Sequence, residues 1–334
     1  MSIHVKKAGL LSTVQDLGRQ RFRSFGINPN GAMDKRAARL INILLGNEES
    51  EAVLEMHFPA PVLQFEENAL VALGGADFGA RLNEKPVENW RPIFVEKGSV
   101  LKFAEKSSGN RGYLSIEGGF AVEKWLDSFS TNLRAAVGGF AGRSLRKDDR
   151  IYFNEKRETE SNGKRKTENG KGSERSNFPY KISNHLTPIY SRLPTVRVVA
   201  GAEFDNLTAF SEQSFLTENF TISNRSDRMG FRLTGAPLFL LDKMEMISSA
   251  VDFGTIQLLP DGQMIILMAD HQTSGGYPRV AHVVSNDLPI LAQLGANDKV
   301  NFQLISIAEA EDLLLEFEKD LNLLKIACSF KNNS

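Results

Sequence analysis

A polar loop follows an apolar run at residues 264–268, which predicts a buried strand. The loop contains an acid, Asp270, a hydroxyl, Thr273, and the glycine pair Gly275-Gly276. Glycines let a ligand approach the backbone, and successive backbone amides can cradle an anionic oxygen. A guanidinium at residue 279 could fork onto a carboxylate or a phosphate. An ordinary hairpin turn that bonds its own backbone is the alternative interpretation.

From this loop we predict three catalytic residues and three residues that bind the substrate through a turn. The catalytic candidates are Asp270, Thr273 and Arg279. The substrate-binding candidates are Gly275, Gly276 and Tyr277.

Four further clusters bring Asp, Arg, Thr and Gly close together along the chain. They read TVQDLGR from residue 13, NGAMD from residue 30, TNLRA from residue 131 with three glycines up to residue 142 followed by Arg143, and SDRMGFRL from residue 226. Arginines there could bind a substrate carboxylate, but structural salt bridges or a helix cap would use the same residues. The substrate-binding candidates from these clusters are Arg134, Arg143, Asp227, Arg228, Asp16, Arg19 and Asp34.

The composition excludes several classes of function. A formal net charge of -1 gives no electrostatic case for binding nucleic acid or an anionic membrane surface. The sequence contains no G-x-x-x-x-G-K-[ST] phosphate loop and no H-E-x-x-H pair, and its 5 histidines are scattered, so no metal site is predicted. A single cysteine, Cys328, cannot form an internal disulfide. We therefore predict a cytoplasmic protein without a signal peptide or a membrane span.

The elements that must position these loops are mostly strands. Residues 34–46 predict a helix, because their apolar residues share one face and Gly46 suits its end. Elsewhere the apolar runs are short and are bounded by Gly, Asn or Pro, which is typical of strands. Glycine pairs mark sharp turns of the kind that a barrel needs. The sequence thus predicts a mainly β protein with a few short helices.

We predict four segments along the chain. Residues 1–153 form an N-terminal lobe and residues 193–307 a C-terminal lobe. Residues 154–192 form a flexible insertion, because residues 154–176 are almost wholly polar and cannot bury enough apolar surface to offset their ordering entropy. Residues 308–334 form an amphipathic helix and tail, with Ser306 and Glu309 at capping-box spacing.

Taken in order, the five clusters resemble the biotin-dependent carboxyltransferase family. The motifs TVQDLGR, SDRMGFRL and TSGGYP carry this resemblance, which covers about residues 5–305 without the polar insertion. The family includes half of the urea carboxylase carboxyltransferase domain, allophanate hydrolase subunit 2, the KipI antagonist KipA and the C subunit of bacterial 5-oxoprolinase. A stand-alone chain of this length is most similar to the last of these.

The resemblance implies two cyclophilin-like β-barrel lobes with the functional cleft between them. It implies two partner chains, one KipI-like and the other LamB/YcsF-like, and ATP as a cofactor of the complex. The implied reaction opens 5-oxo-L-proline to L-glutamate.

Two alternatives remain open: a regulatory protein that binds a KipI-like kinase inhibitor, and a carboxyltransferase acting on urea-like amides. The second requires biotin on a partner, since no lysine here lies in a Met-Lys-Met context. Many relatives carry Lys where this chain has Arg279, and Arg does not easily act in proton transfer.

Overall fold

The chain folds into two compact units in this computed structural model, which describes residues 1–155, 180–242 and 246–332. The first unit consists of residues 1–17, 35–187 and 319–334, and the second consists of residues 18–34 and 188–318. Most of the predicted insertion, residues 156–179, lies outside the described residues.

The first unit is built from two antiparallel sheets. One has six strands in the order β11-β1-β4-β9-β6-β7, and the other has five in the order β2-β3-β10-β5-β8. Their bounds are β1 Ser2–Lys7, β2 Ser12–Gln15, β3 Val53–Met56, β4 Val62–Phe65, β5 Ala69–Asp77, β6 Ala80–Leu82, β7 Lys85–Pro86, β8 Pro92–Val95, β9 Val100–Phe103, β10 Ser108–Ile116 and β11 Arg150–Tyr152.

The core of the first unit follows from the alternation along its strands. On β4, Leu63 and Phe65 are fully buried, while Val62 and Gln64 are partly exposed, as expected for a strand with one face inward. The first helix, α1 (Lys35–Leu44), contacts β5 and β10 and buries Leu40 and Ile41 completely. This confirms the predicted helix at residues 34–46.

The second unit contains a closed barrel of seven strands in the order β12-β19-β16-β17-β14-β13-β20. A separate two-stranded ribbon pairs β15 with β18. The bounds are β12 Thr195–Ala200, β13 Phe220–Ile222, β14 Gly230–Thr234, β15 Ser249–Ala250, β16 Thr255–Leu258, β17 Met264–Leu267, β18 Ser274–Gly275, β19 Arg279–Val283 and β20 Lys299–Leu304.

Helices line the barrel of the second unit and complete its core. Helix α2 (Ala209–Thr217) contacts β20, and Phe215 stacks on Phe302 with ring centroids 4.8 Å apart. Helix α3 (Leu288–Ala292) follows Asp287, with Pro289 tolerated in the first turn. Burying a Phe side chain contributes about 1.5–3 kcal/mol, so this pair is a substantial part of the core.

The last helix, α4 (Ile307–Asn332), spans the segment for which the sequence predicted an amphipathic helix and tail. It begins with the predicted capping box: Glu309 accepts from the Ser306 amide at 2.8 Å, and Ser306 Oγ accepts from the Glu309 amide at 3.2 Å. Leu321 is fully buried.

The mainly β class is confirmed, whereas the division of the chain differs from four consecutive segments. Residues 18–34 belong to the second unit and residues 319–334 to the first. At the end of the predicted insertion, Ile182 and Leu186 are buried, and the Ile182 amide donates to the Trp90 carbonyl at 2.8 Å. A barrel in the first unit stays a prediction. None of the described helices is both long enough and apolar enough to cross a bilayer.

Candidate functional site

Asp270 follows β17 and is held by a buried arginine. Arg228 Nε donates to Asp270 Oδ2 at 3.0 Å, and Arg228 Nη2 donates to Oδ1 at 3.0 Å. The Asn30 side-chain amide also donates to Oδ1, at 2.7 Å. The two side chains of the ion pair are only 8% and 14% exposed. The charge of this predicted catalytic carboxylate is therefore neutralised within the second unit.

Residues 18–34, which belong to the second unit, contribute hydrogen bonds to this ion pair. Arg228 Nη2 donates to the Gly31 carbonyl at 2.6 Å, and Arg19 Nη1 donates to Asn30 Oδ1. Arg19 and Asn30 are buried. The structure thus brings together three of the predicted site residues, Asp270, Arg228 and Arg19, in one hydrogen-bond network. Asn30 belongs to the NGAMD cluster but was not among the predicted site residues.

A buried histidine next to Asp270 extends the network. His271 is fully buried, and its Nε2 lies 3.7 Å from Asp252 Oδ1. The Asn28 side chain donates to the His271 carbonyl at 2.6 Å. Asp252 accepts in turn from Arg23 Nη1 at 3.0 Å. None of these residues was among the predicted site residues, although His271 lies in the 270–279 loop, because only tertiary contacts bring them together.

Arg279 forks onto a carboxylate of its own unit. Its Nε and Nη2 donate to Glu203 Oε2 and Oε1 at 3.1 and 2.9 Å, and its backbone amide donates to Oε2 at 2.7 Å. These hydrogen bonds hold the pKa of Glu203 below its ordinary value and raise that of Arg279. The fork predicted for a substrate anion is thus occupied by Glu203, a residue for which the sequence showed no signal.

The loop between these two ion pairs contains strand β18, which pairs with β15 in a two-stranded ribbon. Ser249 pairs with Gly275, and Ala250 pairs with Ser274. The backbone carbonyl of Thr273 accepts a hydrogen bond from the Val251 amide at 3.2 Å. The glycine pair lies next to an exposed aromatic side chain, because Tyr277 is 43% exposed. This arrangement offers backbone groups and neutral polar side chains.

Two further candidates of the second unit have local structural partners. Asp227 Oδ1 accepts from the amides of Met229 and Gly230 at 2.8 and 3.3 Å, which is a turn closed by the side chain. Asp34 is fully buried and accepts from Tyr190 Oη at 2.8 Å and Gln293 Nε2 at 2.9 Å.

In the first unit, Asp16 is buried beneath the loop that precedes the TNLRA cluster. It accepts from Ser128 Oγ and from the Phe129 amide, both at 2.7 Å, and from Ser130 Oγ at 2.5 Å. Both serines are fully buried. These contacts stabilise the loop at residues 128–130.

The two arginines of the glycine-rich loop differ in their surroundings. Arg143 forms a two-point ion pair with Asp149 at 2.7 and 2.9 Å, which lowers the pKa of that carboxyl. Arg134 is exposed, and its guanidinium has no hydrogen-bond or ion-pair partner among the described residues. Arg134 is therefore available to an anion from solution. The proposed roles of all these residues remain predictions.

No group of three or more His, Cys, Asp or Glu residues could hold a metal ion within residues 1–155, 180–242 and 246–332. Among the described residues, the candidates of the second unit are mostly paired charges and glycine-rich backbone, and those of the first unit include the accessible Arg134. Such groups can orient a polar substrate and stabilise developing negative charge.

Comparison with known proteins gives consistent matches over almost the whole chain. Residues 25–304 match the family described as carboxyltransferase domain, subdomain A and B. The chain is 36% identical to the 5-oxoprolinase C subunit of Haemophilus influenzae, covering 96% of this chain and 97% of that protein. It is 32% identical to the 5-oxoprolinase C subunit of Escherichia coli, and this match covers 92% of this chain and 93% of that protein.

The fold is similar to that of a much larger protein. The crystal structure of K. lactis urea amidolyase superposes with a TM-score of 0.86 at 25% sequence identity. The match covers 97% of this chain but only 20% of that chain, so this chain corresponds to about a fifth of the urea amidolyase. The chain therefore belongs to the carboxyltransferase domain family and is homologous over nearly its full length to the C subunit of 5-oxoprolinase, which is one component of an enzyme.

Proposed function

We propose that this chain is a subunit of an ATP-dependent 5-oxoprolinase complex that opens 5-oxo-L-proline to L-glutamate. The observation that carries this proposal is the similarity to two 5-oxoprolinase C subunits, which extends over 97% and 93% of their lengths. Similarity from end to end argues for a shared role in a complex, whereas a local match would support only a shared fold.

The chemistry explains what such a component must supply. A lactam is resonance-stabilised and therefore a poor electrophile, so the reaction needs ATP to activate the amide oxygen as a leaving group. The protein then has to hold the substrate carboxylate and to stabilise negative charge that develops on oxygen. We assign the lactam to the loop at residues 270–279 of the second unit. Independently, we assign the binding of an anion to Arg134 of the first unit.

The roles within the 270–279 loop follow from its contacts. Asp270 and Arg279 position the two ends of the loop, because each is engaged in an ion pair with a residue of its own unit. Gly275, Gly276 and Tyr277 lie between these fixed ends and contact the substrate. This assignment makes the two predicted catalytic charges positioning residues.

The proposal includes partners and a location. The chain acts with a KipI-like chain and a LamB/YcsF-like chain in the cytoplasm, and ATP binds at the level of the complex. Each of its two units is a cyclophilin-like lobe. The closed seven-strand barrel of the second unit supports this assignment for that lobe.

Reconstitution tests the proposal. The chain is mixed with its KipI-like and LamB/YcsF-like partners, ATP and 5-oxo-L-proline, and glutamate is measured; mixtures lacking ATP or this chain are the controls. Glutamate that forms only in the complete mixture is the expected result. An assembled complex that forms no glutamate would refute the proposal, and tight binding to the KipI-like chain without turnover would favour the regulatory alternative.

Carboxyl transfer to a urea-like amide is a second candidate. It is favoured by the TM-score of 0.86 against K. lactis urea amidolyase. This function requires a biotinylated partner. Urea-dependent loss of carboxyl groups from a carboxylated biotin carrier, in the presence of this chain, would support it over lactam opening.

A further inference from the structure

Two shielded polar atoms in the second unit lack hydrogen-bond partners among the described residues. One is Oε1 of Gln257, a fully buried residue of β16, and the other is Oγ of Ser249 on β15. An unpaired buried polar atom is destabilising, so two such atoms in the same part of a unit call for a ligand that satisfies them.

Strand register brings the two side chains to one face of the ribbon. Ser249 lies directly opposite Gly275 in the antiparallel pair, and opposite residues point to the same face with Cβ positions about 5 Å apart. A Cβ on Gly275 would lie 2.7 Å from Gln257 Nε2 and 3.4 Å from Gln257 Oε1. The glutamine amide therefore occupies the space where a side chain at residue 275 would be.

The orientation of the glutamine amide leaves its oxygen available. Gln257 Nε2 lies 3.4 Å from the Tyr277 carbonyl, to which it donates. The reverse orientation would place two acceptor oxygens against each other. Gln257 thus offers an acceptor and Ser249 offers a hydroxyl that can donate.

The charged side chains at both ends of the loop are already paired, so the groups that remain match the neutral amide part of a ligand. Asp270 is paired with Arg228 at one end of the loop, and Arg279 is paired with Glu203 at the other. A lactam suits the remaining groups, because its ring holds the N–H and the C=O in the cis arrangement on one edge. Its N–H matches Gln257 Oε1, and its carbonyl oxygen matches the Ser249 hydroxyl.

We propose that Gln257 and Ser249 recognise the cis-amide edge of the substrate and so determine specificity for lactams. This inference rests on the proposed function and adds the residues that read the amide. Both atoms are shielded from solvent, so the ligand reaches them when the short β15–β18 ribbon lifts from the barrel.

Calorimetric titration of the reconstituted complex tests the proposal. The ligands are 5-oxo-L-proline and its N-methyl analogue, which lacks the amide N–H. We expect the wild-type complex to bind the lactam about tenfold more tightly than the analogue. Gln257→Met should weaken lactam binding about tenfold and abolish this preference. Ser249→Ala should weaken the binding of both ligands about three- to tenfold.

The matched control is Gln303→Met, which alters an exposed glutamine on another strand of the same barrel and should change neither affinity. ATP affinity should be unchanged in all three variants. If Gln257→Met keeps the preference for the lactam, the inference is overturned, even where the complex still produces glutamate. If the wild-type complex binds the lactam with this preference but forms no glutamate, the proposed function fails while the recognition pair stands. A wild-type complex that binds no lactam overturns the inference.

Discussion

Two glycine-rich loops, one in each unit, use their charged residues differently. In the 270–279 loop of the second unit, Asp270 and Arg279 are both paired with buried partners of opposite charge. In the 131–143 loop of the first unit, Arg143 is paired with Asp149, but Arg134 is exposed to solvent without a partner among the described residues.

This difference suggests a division of tasks. A loop whose charges are satisfied internally presents neutral donors and acceptors, which suits an amide. A loop with an accessible guanidinium presents positive charge, which suits a carboxylate or a phosphate. Residue types alone do not distinguish the two, because both loops contain Thr, Arg and a glycine pair.

Asp270→Asn should produce the largest loss of stability. The change leaves the guanidinium of Arg228 buried without its counter-charge, which costs about 3–5 kcal/mol. Urea titration measures this as a fall in the free energy of unfolding. The matched control is Asp149→Asn, whose partner Arg143 is 30% exposed, and there we expect about 1 kcal/mol. Equal losses in the two variants would contradict the contrast between the loops.

Gly139→Ala tests how tightly the 131–143 loop is built. Gly139 has a φ of +56°, and an added Cβ would lie 1.9 Å from Thr131 Oγ1. Left-handed backbone and steric overlap together predict a loss of about 2–4 kcal/mol in unfolding free energy. Gly98→Ala is the control, because its φ is +85° with nothing within 4 Å, so only the backbone cost of about 1 kcal/mol applies. A tolerated Gly139→Ala would show that the loop can rearrange.

Glu203→Gln should remove the charge that fixes Arg279 and cost about 1.5–3 kcal/mol. The ion pair holds the pKa of Glu203 below its ordinary value of 4.5 in the folded chain. Its contribution is therefore fully present above about pH 4.5 and is lost as the pH falls through the folded-state pKa. Unfolding titrations of both proteins from pH 7 to pH 3 should converge at low pH. A difference that does not depend on pH would show that the ionised carboxylate is not responsible.

Arg134→Ala should leave stability unchanged within about 0.5 kcal/mol, because the side chain is exposed and unpaired among the described residues. If Arg134 binds an anionic group, KM of the complex for 5-oxo-L-proline or ATP rises about tenfold or more. Arg146→Ala removes another exposed arginine of the first unit and serves as the control, with KM unchanged. Equal KM values for the two variants would remove Arg134 from the site.

Local elements were predictable from sequence where short apolar runs end at turn residues. Strands β4, β9 and β16 are such short, mostly apolar runs, and α1 lies within the predicted helix at residues 34–46. These elements depend on neighbouring residues, so a local pattern contains the information. The division of the chain depends on tertiary contacts, and residues 18–34 could not be assigned to the second unit from the sequence.

The site was predictable only in part for the same reason. Arg228 and Asp270 attracted notice because acids and arginines cluster in their motifs, yet their pairing with each other depends on the barrel. Glu203 lies outside every motif, and Gln257, like Thr255, looks like an outward-facing polar residue of a half-apolar strand. All four residues of β16 are in fact buried, because both faces of this strand are covered.

The closure of the second unit's barrel has a consequence for synthesis on the ribosome. Strand β20 pairs in parallel with β12 and antiparallel with β13, so it is the last piece of the ring. Until this strand emerges, the nascent polypeptide presents two open strand edges that can join other chains. A stalled or truncated translation product ending before residue 299 should therefore be a target for chaperones, even though most of its core sequence is already made.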